Sequence, residues 1–265
     1  MKRKFIGWKT EDKVRTFYLF WLPVRKKNTK PGINLFAELE TIKNTWLPAM
    51  ATHPQVFSPY KGCHRGQDIV ITAAGPTLDA YKPIPGAIHI GVNRVFLNPN
   101  LRLDYLFCID HPLLDEELLS SYRKNECHKF FGMHHHQPNS IPIHLVEKCN
   151  AQLFYFELAS PRIPHKLVPY DIAHSPLLLW ASVVSAAFQF ALWCRPKRIF
   201  LVGCDCSTNG YFKADNSGVP QFLPTDDLKL EWQRLARFAK KLYPDTKIIS
   251  INPVGLKGLF EDMDM

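Results

Sequence analysis

Short apolar runs bounded by turn residues alternate along this chain with longer segments of helical spacing. Residues 68–73 are one such run, and they end in Ala74, Gly75, Pro76 and Thr77, the pattern of a buried strand entering a tight turn. Residues 87–92, 105–109 and 198–203 repeat it, 247–251 closes the series, and 128–133 and 153–156 carry weaker versions. Between them, Leu35, Leu39, Ile42 and Trp46 recur at helical spacing over 35–50. The mostly apolar stretch 177–193 reads as a central helix by its length and alanine content. Thr225, Asp226 and Asp227 cap a helix over 228–242 that places Leu228, Trp232, Leu235 and Phe238 or Ala239 on one face. Strands alternating with helices predict an α/β fold, a doubly wound and mostly parallel sheet covered on both faces.

At 265 residues with 46% hydrophobic and 22% charged positions, the chain can bury a full core. No stretch approaches 18 uninterrupted apolar residues, and the first dozen residues lack the apolar run of a signal peptide. The expectation is a cytoplasmic protein that does not span a membrane. Its cysteines (Cys63, Cys108, Cys127, Cys149, Cys194, Cys204, Cys206) are odd in number and scattered, which suits reduced thiols. Cys204 and Cys206 form C-x-C with no second pair to complete a zinc site. The tract His134, His135, His136 reads as loop, since consecutive residues point in different directions. The expectation is no metal site.

Lys+Arg 33 against Asp+Glu 24 gives a net charge of +9, which favours anionic partners. Much of that excess is local. Lys2, Arg3, Lys4, Lys9, Lys13, Arg15, Arg25, Lys26, Lys27 and Lys30 face only Glu11 and Asp12, with the aromatic and apolar run 17–24 threaded between them. Two readings stand: a segment lying peripherally on an anionic membrane surface, at its inner face, or an N-terminal strand packed on the domain. Nucleic acid is not an expected partner, because no recognition-module signature accompanies the charge. Pro31 and Gly32 break this leader from the rest, giving residues 1–33 as a basic aromatic extension and 34–265 as a single α/β domain.

In such sheets ligands bind beyond the carboxyl ends of the strands, so the residues just after each apolar run carry the candidate chemistry. After the first strand, Gly75 lets the backbone approach a ligand, and the N–H groups that follow, with the Thr77 hydroxyl, can face an anion. After the second, Asn93 presents a donor and an acceptor suited to a base or ribose, and Arg94 can pair with phosphate. Asp110 and His111 follow the third, and Asp205 follows the strand at 198–203. Two carboxylates at neighbouring strand ends suit a general base or a shared divalent metal. His165 and His174 flank the approach to the central helix and are further acid–base candidates. Residues 207–224 are polar and contain Gly210 and Gly218, a loop long enough to be a lid.

Taken together, residues 68–78, 90–96 and 104–110 resemble the nucleotide-binding half of bacterial sialyltransferases that use CMP-activated sialic acid. They resemble equally the motility-accessory-factor glycosyltransferases and the archaeal hydroxymethylpterin pyrophosphokinases. The unit 182–205 continues the match, and the leader 13–27 looks like the basic aromatic openings of surface-polysaccharide glycosyltransferases. The resemblance implies a Rossmann-like, sialyltransferase-like fold in which Gly75, Pro76, Thr77 and Asn93 hold CMP. Ser182 matches a nucleotide-contacting serine. Two departures stand out: Asp110 replaces the family's asparagine, and 207–228 contains no histidine where the catalytic one is expected.

The function implied is a membrane-peripheral glycosyltransferase of bacterial surface-polysaccharide assembly, lipopolysaccharide or capsule. Its partners are a nucleotide-sugar donor, CMP-linked, and a glycan acceptor, and it requires no cofactor. Asp110, His111 and Asp205 are the catalytic candidates, with Gly75, Pro76, Thr77, Asn93, Arg94 and Ser182 for the nucleotide. The alternatives are an ATP- and magnesium-dependent phosphotransferase using Asp110 and Asp205, and a non-catalytic nucleotide-binding module.

Overall fold

The computed structural model describes residues 6–11, 14–19, 22–28, 39–109, 120, 123–124, 126–134, 143–158, 167–180, 182–213 and 225–265. The chain divides into two compact units, Met1–Glu40 and Thr41–Met265. In the first, strands β1 (Ile6–Glu11), β2 (Val14–Leu19) and β3 (Leu22–Asn28) form a three-stranded antiparallel sheet in sequence order. Ile6 pairs with Leu19 and Val14 with Asn28, with a register shift between Phe17 and Tyr18. The basic leader is thus a small meander rather than one strand.

The second unit is built on one nine-stranded sheet in the order β12-β11-β10-β4-β5-β6-β7-β8-β9, parallel throughout. Its strands are β4 (Asp68–Thr72), β5 (Ile88–Val92), β6 (Tyr105–Cys108), β7 (His128–Met133), β8 (Ala151–Leu158), β9 (Leu177–Leu179), β10 (Arg198–Val202), β11 (Lys247–Ile251) and β12 (Glu261–Met263). Among the described residues, its α-helices of six residues or more are α1 (Leu47–Phe57), α2 (Ile143–Lys148), α3 (Val184–Trp193) and α4 (Thr225–Leu242). Alternation along the strands sends apolar side chains to both faces. From β6 and β7, Tyr105, Phe107 and Phe130 join the larger core with α3, while Leu106, Cys108 and Phe131 meet Leu145 and Val146 of α2. Burial on both faces explains why these strands read as continuous apolar runs. The larger core is aromatic at its centre, where Phe107 and Phe130 stack with ring centroids 4.7 Å apart and Phe190 lies 5.2 Å from each.

Two expected elements change. The stretch read as one central helix is a strand followed by a helix: β9 runs parallel to β8, then α3 begins at Val184. Every residue of β9 and of α3 is buried, so no exposed polar face marks where the strand ends and the helix begins. The first helix also runs further than 50. A π-helical turn, Ile42–Trp46, leads into α1, which continues through Pro54 to Phe57. Proline removes one backbone donor there, yet His53, Val56 and Phe57 are buried on its last turn and hold it in place.

The buried polar groups brace this frame. His53 is fully buried; its Nδ1 meets the carbonyls of Ile172 (2.9 Å) and Ser175 (2.8 Å), and its Nε2 accepts from the Tyr155 N–H (2.8 Å). Burial drives its pKa down to about 4, so the ring is neutral and ties α1 to β8. Arg198 and Asp68, opposite one another at the starts of β10 and β4, form a two-pronged ion pair. The arginine's hydrogen bonds hold the Asp68 carboxyl below its ordinary value.

Candidate functional site

From β4 the chain proceeds through β5, β6, β7, β8 and β9 in one direction, then returns to lay β10, β11 and β12 on the other side of β4. The reversal lies between β4 and β10, and the crevice beyond the carboxyl ends of those two strands is where a sheet of this kind binds ligands. Two loops meet there. The Ala73 N–H donates to the Val202 carbonyl (2.8 Å) and the Gly75 N–H to that of Gly203 (2.9 Å), extending the ladder past the strand ends.

Beyond the ladder, Pro76 to Ala80 wind into a short 3-10 turn. Asp205 closes the start of that turn: its carboxylate accepts from the Thr77 N–H (3.0 Å) and from the Thr77 hydroxyl, while the Leu78 N–H donates to the Gly75 carbonyl (3.1 Å). Asp205 is itself buried, and its carbonyl accepts from the Gly255 N–H (2.7 Å), which fixes it to the loop after β11. Both glycines of the crossing are required by space. A Cβ on Gly75 would overlap the Asp205 carboxylate and the Gly203 carbonyl, and one on Gly203, whose φ is +65°, would overlap the Ala73 carbonyl. Asn93 and Arg94 open a second 3-10 turn directly after β5, the neighbour of β4, and Asn93 sits at φ 47°. Both are half-buried.

Ser182 stands at the amino end of α3, where its Oγ accepts from the Val184 N–H (3.2 Å). The root of the expected lid docks on the same loops: the Phe212 N–H donates to the Ala74 carbonyl (2.9 Å) and the Lys213 N–H to the Asp79 carboxylate (3.0 Å). Residues 214–224, the rest of that segment, lie outside the described residues, as do Asp110, His111, His135, His136 and His165. His174 does not reach the crevice. It precedes β9, so it lies toward the amino ends of the parallel strands, where it pairs with exposed Asp171 (2.9 Å). His134 is buried and stacks on Phe156 with centroids 5.5 Å apart.

The structure also brings in Glu231, which sequence reasoning passed over. It lies on the buried face of α4, and its Oε1 accepts from the Ser185 hydroxyl and the Trp180 N–H (3.4 Å) beside the start of α3. The signal was a carboxylate occupying an apolar phase of that helix, between Leu228 and Leu235. Burial pushes the Cys206 thiol up to about 12 and the Cys204 thiol well above its ordinary value, so the C-x-C pair stays protonated.

No family model and no curated protein matches the chain. Among solved structures it is similar to the monofunctional alpha-2,3-sialyltransferase Cst-I from Campylobacter jejuni, at 15% identity and a TM-score of 0.44 over 70% of this chain and 75% of that one. It is similar to the MAf glycosyltransferase from Magnetospirillum magneticum, at 13% identity and a TM-score of 0.46 over 90% of this chain and 42% of that one. It is also similar to the Campylobacter jejuni sialyltransferase CstII in complex with cytidine-5'-monophosphate, at 12% identity and a TM-score of 0.42 over 70% and 80% of the two chains. The chain therefore spans less than half the length of the MAf protein.

Proposed function

We propose that this protein is a glycosyltransferase of bacterial surface-polysaccharide assembly that takes a nucleotide-activated, CMP-linked sugar in the crevice between β4 and β10. The observation that carries the reading is the turn at Gly75, Pro76 and Thr77, fixed at the switch point by Asp205. The Arg94 guanidinium, one strand over, suits the phosphate. Asn93 suits the base or ribose, and Ser182 approaches from the amino end of α3. In transfer, an acceptor hydroxyl attacks the anomeric carbon, a base takes its proton, and the nucleotide phosphate leaves with the bonding electrons. Asp110 is assigned as the base, with His111 beside it. Asp205, one of the two carboxylates a magnesium-dependent phosphotransferase would use, is engaged by Thr77, which favours the glycosyltransferase. The basic meander at the start of the chain suits an anionic membrane surface, where a lipid-linked glycan acceptor would lie.

Thermal unfolding with CMP, UDP, GDP and ATP, each with magnesium or EDTA, tests this reading. CMP is expected to stabilise the protein in EDTA as well as in magnesium, by about 2.7 kcal/mol at a hundredfold excess over its dissociation constant. Stabilisation by ATP alone, and only with magnesium, would favour a phosphotransferase. No stabilisation by any nucleotide would remove the reading.

A further inference from the structure

At the opposite edge of the sheet, where the strands begin, Cys63, His64 and Cys194 come together with their ligand atoms all within 4.8 Å of one another. The chain holds them there by backbone. The Gly62 N–H donates to the Trp193 carbonyl (2.9 Å) and the His64 N–H to the Cys194 carbonyl (3.1 Å), bracketing Cys63 against the end of α3. Gly62, at φ +70°, makes the turn that brings Cys63 and His64 alongside. The imidazole is oriented as well. Gln67 Oε1 lies 2.7 Å from Nδ1 and can only accept, so Nδ1 carries the proton and Nε2 carries the lone pair, which meets the Tyr105 hydroxyl at 2.8 Å. An imidazole whose far nitrogen already donates to an oxygen is the arrangement that fixes a metal-binding tautomer.

We propose that Cys63, His64 and Cys194 form a binding site for a thiophilic divalent cation of the zinc class. With Zn–S near 2.3 Å and Zn–N near 2.1 Å, tetrahedral geometry sets ligand atoms about 3.6–3.8 Å apart, so closure draws atoms now within 4.8 Å together by about 1 Å and displaces the Tyr105 hydroxyl from Nε2. The two thiols release their protons on binding, and two thiolates with a neutral imidazole balance the cation's charge. Cys194 is buried and Cys63 is exposed, which leaves a path for entry. His64 also lines a hollow of about 550 Å³ with Asp104, Tyr105, Glu126 and His128, and water from that hollow supplies the fourth position. The site is remote from the nucleotide crevice and independent of the function proposed for it.

The test uses the full chain, reduced, stripped with a chelator and titrated anaerobically with cobalt(II), followed by displacement with zinc. A single tightly bound ion with thiolate-to-cobalt charge-transfer absorption is expected. Cys63→Ser, at an exposed position that leaves packing intact, should abolish that absorption, and Cys204→Ser should leave it unchanged. Gln67→Leu, which removes the acceptor orienting the imidazole, should weaken binding about tenfold to a hundredfold. The proposal is overturned if wild type shows no thiolate–cobalt absorption or if Cys63→Ser retains it. It is equally overturned if the Cys63 and Cys194 thiols oxidise to a disulfide and the re-reduced protein takes up no metal.

Discussion

The Asp205 carboxylate accepts hydrogen bonds from both the N–H and the hydroxyl of Thr77, a residue 128 positions earlier in the chain. One buried carboxylate therefore sets the shape of a turn on a different strand. By sequence Asp205 is a catalytic candidate, and in the folded chain its carboxylate also braces the turn at Thr77.

Asp205→Asn should lower stability by roughly 1–3 kcal/mol, since one of the two Thr77 bonds loses its acceptor and the other its charge. Thr77→Val should cost a similar amount. Because the pair acts as one unit, the double variant should cost clearly less than the sum of the two, by about 0.5–3 kcal/mol. Urea unfolding of the four proteins reads the coupling directly, and strict additivity would mean that Asp205 does not hold the turn.

Stability should fall in mild acid because of His53. Folded, the ring titrates at about 4, against 6.5 when free. Between those values the unfolded chain binds a proton that the folded chain refuses, so the contribution is complete above 6.5 and declines as pH drops toward 4. The gap corresponds to roughly 3 kcal/mol. Urea midpoints measured from pH 7 to pH 4.5 should decline less steeply in His53→Gln than in wild type. Parallel profiles would place the acid sensitivity elsewhere.

Removal of residues 1–40 should leave the melting transition of the α/β unit in place, because Thr41–Met265 is a compact unit in itself. The same deletion should abolish co-sedimentation with anionic liposomes, each lost Lys or Arg weakening attachment by about 1 kcal/mol. Undiminished liposome binding by the truncated protein would assign the membrane role to another surface.

Asp110→Asn should preserve the fold and CMP affinity while cutting donor turnover about a hundredfold to ten-thousandfold, the range for a lost general base. A donor-hydrolysis assay beside calorimetric CMP titration separates the two effects. Unaltered hydrolysis would exclude Asp110 as the base.

The strands flanking the crevice were legible because each is short, apolar on both faces and closed by a turn: β4, β5, β6 and β10 lie within a residue of the expected runs. β9 was hidden inside Leu177–Trp193 for the same physical reason, since full burial erases period from strand and helix alike. β12, with Glu261 and Asp262 exposed at the sheet's edge, carries no apolar signal. The strand-end positions Gly75, Thr77, Asn93 and Asp205 followed from the topology rule once the strands were placed. What they do to one another did not. That Asp205 grips Thr77, that Glu231 sits under Ser185 and that Cys63 lies beside Cys194 are contacts between segments far apart in the chain, and local pattern does not encode them.

The position of β4 between β5 and β10 also has a consequence for how the protein is made. As the chain emerges during synthesis, β4 finds β5 soon after, but its other edge stays open until Arg198 and the rest of β10 have been added. Until then the turn at Gly75 and Thr77 lacks Asp205, and a strand with unpaired backbone groups stands exposed. Long-separation parallel pairing of this kind forms late and leaves intermediates prone to association. A chain interrupted before Arg198 is thus unable to complete the crevice and offers a sticky edge to its neighbours, which makes the return of β10 the step on which productive folding turns.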